Sequence, residues 1–330
     1  MLVDQFFAYA RERQTIYLKK QAGLPDEQWT DDPILWKYRF CCVFREDDRT
    51  TRWLAENVRA KINGPELFLA TIVFRWFNRI ETGEAIFTER DLLGDGRTAW
   101  THFLETNDTD VLRRAILKHR GPGPYVTGAY CIIGLPHMSK LDGVLGCIER
   151  VSKDGMGTNI KPGFTRLWWR DLAEYMLENP GQVYLESVWD WFRRFPRSGD
   201  FMAYEVVTDF SHCQLLRQAP DIMTWANAGP GAIRGLNRIF ERPLEQQMPK
   251  ESSNFEMASI LKDAQSPEFW PQPGDGGRLV TDSEVYVNTL SHPQNQWPAW
   301  DMRTVEHTLC EFDKYQRLLK REGKVKGVYR

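Results

Sequence analysis

Residues 66–80, ELFLATIVFRWFNRI, carry apolar side chains on nearly every side of a helical wheel. A helix of that kind has to be central, with other elements packed around it. Its longest apolar run, Leu67 to Phe74 with Thr71 inside it, is far short of the roughly 20 residues that span a bilayer, so the stretch predicts a core helix and no membrane partner. Arg75, Asn78 and Arg79 are the exceptions on it. Charges in such a place must be answered by acids of another segment or by a ligand.

The rest of the chain offers mostly helices to surround it. Val3–Gln21 keeps a loose helical period and stops at Gly23-Leu24-Pro25. Asp48–Asn63 places Leu54, Val58 and Ile62 on one face and closes at Asn63-Gly64-Pro65. Asp108 or Thr109 caps a short helix that ends in Lys118-His119-Arg120, a charge order suited to a helix C-terminus. Residues 125–134 read as a helix or a buried extended piece, with the helix preferred, and helices are also predicted over 164–177, 184–194, 201–216, 231–240 and 302–321. Short strands are expected around 35–43 and 283–288. Pro and Gly crowd residues 245–283, which read as an irregular insertion holding one helix at most. Without β-branched runs between the helices, a βαβ or all-β architecture is excluded. The fold class is mostly α, and no long polar linker divides the 330 residues, so one helical domain over 1–330 is expected.

Composition narrows the function classes. Six scattered cysteines without a CxxC, and six dispersed histidines without HExxH, predict reduced thiols and no metal site. The segment MLVDQFFAYARERQ lacks the apolar core of a signal peptide, so a cytoplasmic protein is expected. A net charge of −2 argues against a basic nucleic-acid coat and leaves room only for a local basic face. No GxxxxGK[ST] occurs, so P-loop nucleotide chemistry and its cofactors are not expected.

Five segments carry chemistry. In Tyr38–Arg52, Arg45, Arg49 and Arg52 sit at i, i+4 and i+7, so three guanidiniums can meet a phosphate; a solvated face with an Asp48–Arg52 pair is the plainer alternative. Arg75 and Arg79 face one way beside Asn78. Residues 192–208 read helix, tight turn at Pro196-Arg-Ser-Gly199, helix; such a turn can offer backbone N–H groups to a nucleic-acid phosphate, with Arg193, Arg194 and Arg197 adding charge. Asp209 and Asp221 follow as a catalytic carboxylate or as caps. The loop 225–236, WANAGPGAIRGL, opens a helix with Arg234 near its start and could cradle an anion. In Glu306–Tyr315, Glu306 and Asp313 share a face and form ion pairs or serve as a general base.

In this order the segments YRFCCVFREDDRTTRWL, FRWFNRIET, RRFPRSGDFMAYEVVTDF, WANAGPGAIRGL and VEHTLCEFDKY resemble the thymine-hypermodification family, the α-glutamyl/putrescinyl thymine pyrophosphorylases or amino acid:DNA transferases. That family is similar to helix-hairpin-helix DNA glycosylases, and a related helical domain is joined to a P-loop in 5-hydroxymethyluracil DNA kinases. The resemblance implies a transferase that displaces pyrophosphate from 5-diphosphomethyl-deoxyuridine in DNA with an amino acid or polyamine. No cofactor is implied, and a 5-hydroxymethyluracil DNA kinase is an expected partner. Such chemistry needs cations for the diphosphate, a base, and a pocket for an extruded nucleobase. The resemblance assigns Arg39, Arg45, Arg49, Arg75 and Arg79 to the diphosphate and Asn78 and Asn227 to base edges. Glu46, Asp209 or Asp313 would move the proton. Arg193, Arg194, Arg197 and Gly199, with Gly229, Gly231 and Arg234, would hold the DNA backbone. The turn lacks the Gly-x-Gly form and the lysine of bifunctional glycosylases. A glycosylase acting on modified pyrimidines and a non-catalytic DNA-binding scaffold are the competing readings.

Overall fold

The computed structural model describes residues 2–128, 132–154, 168–271 and 297–322. In chain order the α-helices are α1 (Leu2–Gln21), α2 (Pro33–Lys37), α3 (Arg49–Leu54), α4 (Glu66–Phe77), α5 (Ile80–Gly83), α6 (Ala99–Thr106) and α7 (Thr109–Arg120). They continue with α8 (Lys140–Asp154), α9 (Trp169–Glu178), α10 (Leu185–Phe192), α11 (Gly199–Ser211), α12 (Pro230–Ile239), α13 (Lys250–Ala264) and α14 (Met302–Leu319). No strand occurs among the described residues, and none of their helices is long and apolar enough to cross a membrane. The expected single domain resolves into two compact units. One joins Met1–Asp48 to Ile222–Arg330, and the other is Arg49–Asp221.

In the 49–221 unit α4 is central, as its composition demands. Every residue from Leu67 to Phe77 is buried, and α8, α9 and α11 pack around it. Phe68 stacks on Phe210 of α11 at 4.7 Å and meets Trp191 edge-on at 5.5 Å. Helix α4 stops three residues before Ile80 because Asn78 turns left-handed at φ 45°, a conformation asparagine tolerates better than most residues. The expected helix over 48–63 is α-helical only to Leu54 and then widens into a π-helical segment, Ala55–Arg59. A second π segment, Glu84–Thr88, follows α5. Between them Trp53 stacks on Phe74 at 5.1 Å. A Cβ on Gly83 would sit 2.6 Å from the Trp53 ring, so only glycine lets α5 lie against that pair.

The helix expected over 125–134 is absent from its described residues. Its backbone is spent elsewhere: Thr127 N–H donates to the Phe77 carbonyl at the end of α4, and the Thr82 hydroxyl donates to the Tyr125 carbonyl. Further on, Gly134 lies so close to Gly143 of α8 that a Cβ would meet its carbonyl carbon at 2.7 Å.

In the other unit α12 and α14 pack with their backbones nearly touching. A Cβ on Gly231 would fall 2.5 Å from Cys310 Sγ, and one on Gly235 2.5 Å from the Leu309 carbonyl oxygen. Phe6 of α1 meets Phe312 of α14 at 5.5 Å and Trp300 at 5.8 Å. The strand expected over 35–43 is instead α2 followed by an irregular segment. Pro33 opens α2, and Asp32 Oδ1 caps it by accepting from the N–H groups of Ile34 and Leu35. The strand expected at 283–288 lies outside the described residues. Of the insertion expected over 245–283, the described part holds one helix, α13.

Candidate functional site

Beyond a bridge position at Tyr38, segment 38–48 pairs with no strand among the described residues, and side chains supply partners for much of its backbone. They come from α1 and α14. Arg13 Nη2 donates to the Phe40 carbonyl at 3.2 Å, and Lys314 Nζ donates to the Arg39 carbonyl at 2.5 Å. Glu311 Oε2 accepts from Cys41 N–H at 3.0 Å. Asp48 Oδ1 accepts from Cys42 N–H at 3.0 Å, and His307 Nε2 lies 3.1 Å from the Cys42 carbonyl oxygen. A loop held by so many charged side chains has a fixed shape despite lacking regular structure. Arg39 is exposed on it, while Arg45 is buried and Glu46 half-buried on a single 3-10 turn, Arg45–Asp47. Burial, offset in part by the Arg13 guanidinium, pushes the Cys42 thiol up to about 12, so it stays protonated at neutral pH.

Glycine-rich loop 225–229 leads into α12, with Pro230 at its first position. Ala226 N–H is held by Asn254 of α13 at 3.0 Å, and Asn227 is half-buried. Gly231 serves the close approach to Cys310. Glu306 Oε1 would be 4.0 Å from a Cβ on Gly229, so a carboxylate already stands beside this helix start. Asp313 is shared by two arginines of α12: Arg234 Nε donates to Oδ2 and Arg238 Nε to Oδ1, both at 2.9 Å. Arg238 also pairs with Glu322 at 2.5 Å. Of the alternatives open for Asp313, the geometry gives ion pairs, with Arg234 and Arg238 as its partners. Three motif segments distant in sequence, 38–48, 225–236 and 305–315, thus belong to one unit built around α14.

The other two segments belong to the 49–221 unit. Arg75 is 1% exposed and held by side chains of its own unit. Its Nε and Nη2 grip both oxygens of Asp209, Nη2 also reaches Thr51 Oγ1 at 2.9 Å, and Nη1 reaches Asn78 Oδ1 at 2.7 Å. Two sequence candidates for the substrate and one for the base therefore form a single buried cluster pointing at one another. Arg79 pairs with Glu81 at 3.2 Å, and Arg49 is exposed at the start of α3. Five arginines were expected to converge on a diphosphate. Arg39 and Arg45 lie in one unit; Arg49, Arg75 and Arg79 lie in the other, and Arg75 is engaged by Asp209, Asn78 and Thr51.

Helices α10 and α11 form the expected hairpin across residues 193–198. Arg197 takes a left-handed conformation at φ 67° and Gly199 at φ 54°, which folds the corner tightly. Arg193 pairs with Asp190 at 3.0 Å and Asp200 at 3.3 Å, and Arg194 pairs with Asp190. Arg197 is exposed and has no acidic partner among the described residues. Asp221 caps α10 from a distance, accepting from Leu185 N–H at 2.8 Å and Glu186 N–H at 3.0 Å. The cap alternative holds for Asp221, and a glycosylase reading loses that carboxylate.

Sequence spacing concealed one further group. Cys41 Sγ, a carboxylate oxygen of Asp48 and a ring nitrogen of His307 lie within 4.8 Å of one another. Residues 41, 48 and 307 have no motif spacing, and only the docking of segment 38–48 on α14 brings them together.

A family model described as the 5-hmdU DNA kinase helical domain matches residues 1–325. The chain belongs to that family. It is also 28% identical over 258 residues to a protein named 5-hmdU DNA kinase from Bacillus phage SP10. The match takes in 73% of the chain and 36% of the phage protein, so the chain spans about a third of that relative's length. No solved structure matches. Membership of the helical-domain family relates the chain to the proteins of thymine hypermodification, as the five motif segments suggested.

Proposed function

We propose that this chain binds DNA carrying 5-diphosphomethyl-deoxyuridine and exchanges the pyrophosphate for an amino acid or amine. The observation that carries the reading is segment 38–48, fixed by α1 and α14, which holds exposed Arg39, buried Arg45 and half-buried Glu46 in one unit with the 225–236 loop. In the reaction the bond from the 5-methylene carbon to the diphosphate oxygen breaks and a carbon–nitrogen bond forms. The amine proton passes to Glu46, and the departing pyrophosphate is neutralised by Arg39 and Arg45. Asn227 reads the base edge. Asp313 and Asp209 become positioning residues that hold Arg234 and Arg238, and Arg75, respectively. On the 49–221 unit the α10–α11 corner, through Arg197 and the backbone at Gly199, contacts the DNA backbone. Arg49 and Arg79 remain candidates for phosphate contacts there.

Release of pyrophosphate from DNA bearing the diphosphate ester tests this assignment. Arg45→Ala and Glu46→Gln should each lower the rate by about 100-fold or more, in line with loss of a charge-stabilising group or a base. Full turnover by both variants would remove the site. A second reading is favoured by the family match itself, which is to a helical domain of a DNA kinase. On that reading the chain binds modified DNA and releases no pyrophosphate.

A further inference from the structure

The Cys41, Asp48 and His307 side chains answer no requirement of the transferase reading, yet they bring a thiol, a carboxylate and an imidazole to one point. We propose that they form a binding site for a thiophilic divalent cation of the zinc class. The donor set argues for that class: thiolate and imidazole suit zinc and cobalt, whereas magnesium and calcium prefer all-oxygen shells. Donor atoms around a tetrahedral zinc stand about 3.5 Å apart, as follows from bond lengths of about 2.0–2.3 Å. The spread of up to 4.8 Å closes by a small rotation of Cys41, which is exposed.

Two of the three donors are oriented by one residue. The Cys42 peptide N–H donates to Asp48 Oδ1, and the Cys42 carbonyl stands 3.1 Å from His307 Nε2. A carbonyl only accepts, so Nε2 carries the proton, and a neutral ring has its lone pair on Nδ1. Fixing a ligand's tautomer through its second nitrogen is how proteins prepare a histidine for a metal. Cys41 N–H is anchored in turn by Glu311. Burial first, and then the carboxylates of Glu311 and Asp48, push the Cys41 thiol well above its ordinary value, opposed by Lys314, so a cation binds there with release of the thiol proton. Arg13 lies on the Cys42 side, 3.2 Å from that sulfur. Three protein ligands leave a fourth position for water or an incoming group, the arrangement of an open site. The inference is independent of the transferase reading, because it concerns binding alone.

Titration of the full chain, stripped with chelator, with cobalt(II) and then zinc(II) tests the proposal. One cobalt should bind per chain with a sulfur-to-metal charge-transfer absorption, and zinc should displace it. Cys41→Ser should abolish the absorption, and Asp48→Asn and His307→Gln should each weaken binding by about tenfold or more. Cys213→Ser should change nothing. Circular dichroism of each variant confirms that the helices persist; the Asp48 and His307 variants carry the test if the Cys41 variant unfolds. Absence of stoichiometric binding, or a charge-transfer band that survives Cys41→Ser, would overturn the proposal.

Discussion

At the scale of single residues, the most consequential pair is Arg75 with Asp209. Both are almost completely buried, and removal of one partner from such a pair strands the other charge in a low-dielectric interior. Asp209→Asn should therefore cost about 3–5 kcal/mol of stability by urea unfolding. Replacing both residues with apolar side chains of similar size, Arg75→Met with Asp209→Leu, should recover much of that loss. An Asp209→Asn protein as stable as the parent but inactive would instead mark a catalytic carboxylate. The sequence announced that Arg75 needed an answer, because a charge on an all-round apolar helix cannot go unmatched. It did not say which acid answers, since residues 75 and 209 meet only once α4 and α11 pack.

At the scale of elements, two features invite measurement. Helices α12 and α14 approach through Gly235, where a methyl group would strike the Leu309 carbonyl oxygen at 2.5 Å. Backbone cannot move aside as a side chain can, so Gly235→Ala should destabilise the protein by roughly 1–3 kcal/mol and lower its Tm. The second feature is the α10–α11 hairpin. Burial acts most strongly on the Asp190 carboxyl and raises it, but hydrogen bonds and charge from Arg193 and Arg194 prevail and leave it below the usual carboxylate range. A depressed folded value stabilises above the unfolded pKa of about 4, and that contribution is lost as pH falls through the folded value. Asp190→Asn should flatten this acid limb of the stability curve. Arg197→Ala should leave stability unchanged, weaken DNA binding on all sequences alike, and reduce the salt slope by about 1.

The helical elements differed in how openly they were written. Helices α4, α14 and the hairpin were legible in their apolar patterns, although the left-handed Asn78 that ends α4 before Ile80 was not. The segments 38–44 and 125–128 were not, because their backbone groups are satisfied by Glu311, Asp48, Lys314 and Thr82, partners no local pattern reveals. Both π segments were equally hidden: the periodicity of Leu54, Val58 and Ile62 suits an α-helix, and the widening comes from fitting Trp53, Phe74 and Gly83 together.

At the scale of the whole molecule, one unit is contiguous and the other is not. Residues 49–221 form a compact body around α4, whereas the second unit needs chain from both ends, 1–48 and 222–330. The absence of a polar linker concealed this division, because the chain crosses between units at the neighbouring residues 48 and 49 and again at 221 and 222. The functional reading hangs on whether the full chain changes a base in DNA. Incubating it with DNA containing 5-diphosphomethyl-deoxyuridine and a mixture of amino acids and polyamines, then weighing the released nucleosides, measures this directly. The expected product is a nucleoside that keeps its base, has lost pyrophosphate and has gained one amine, and that disappears with Arg45→Ala. Abasic sites, or nucleosides of unchanged mass, would contradict it.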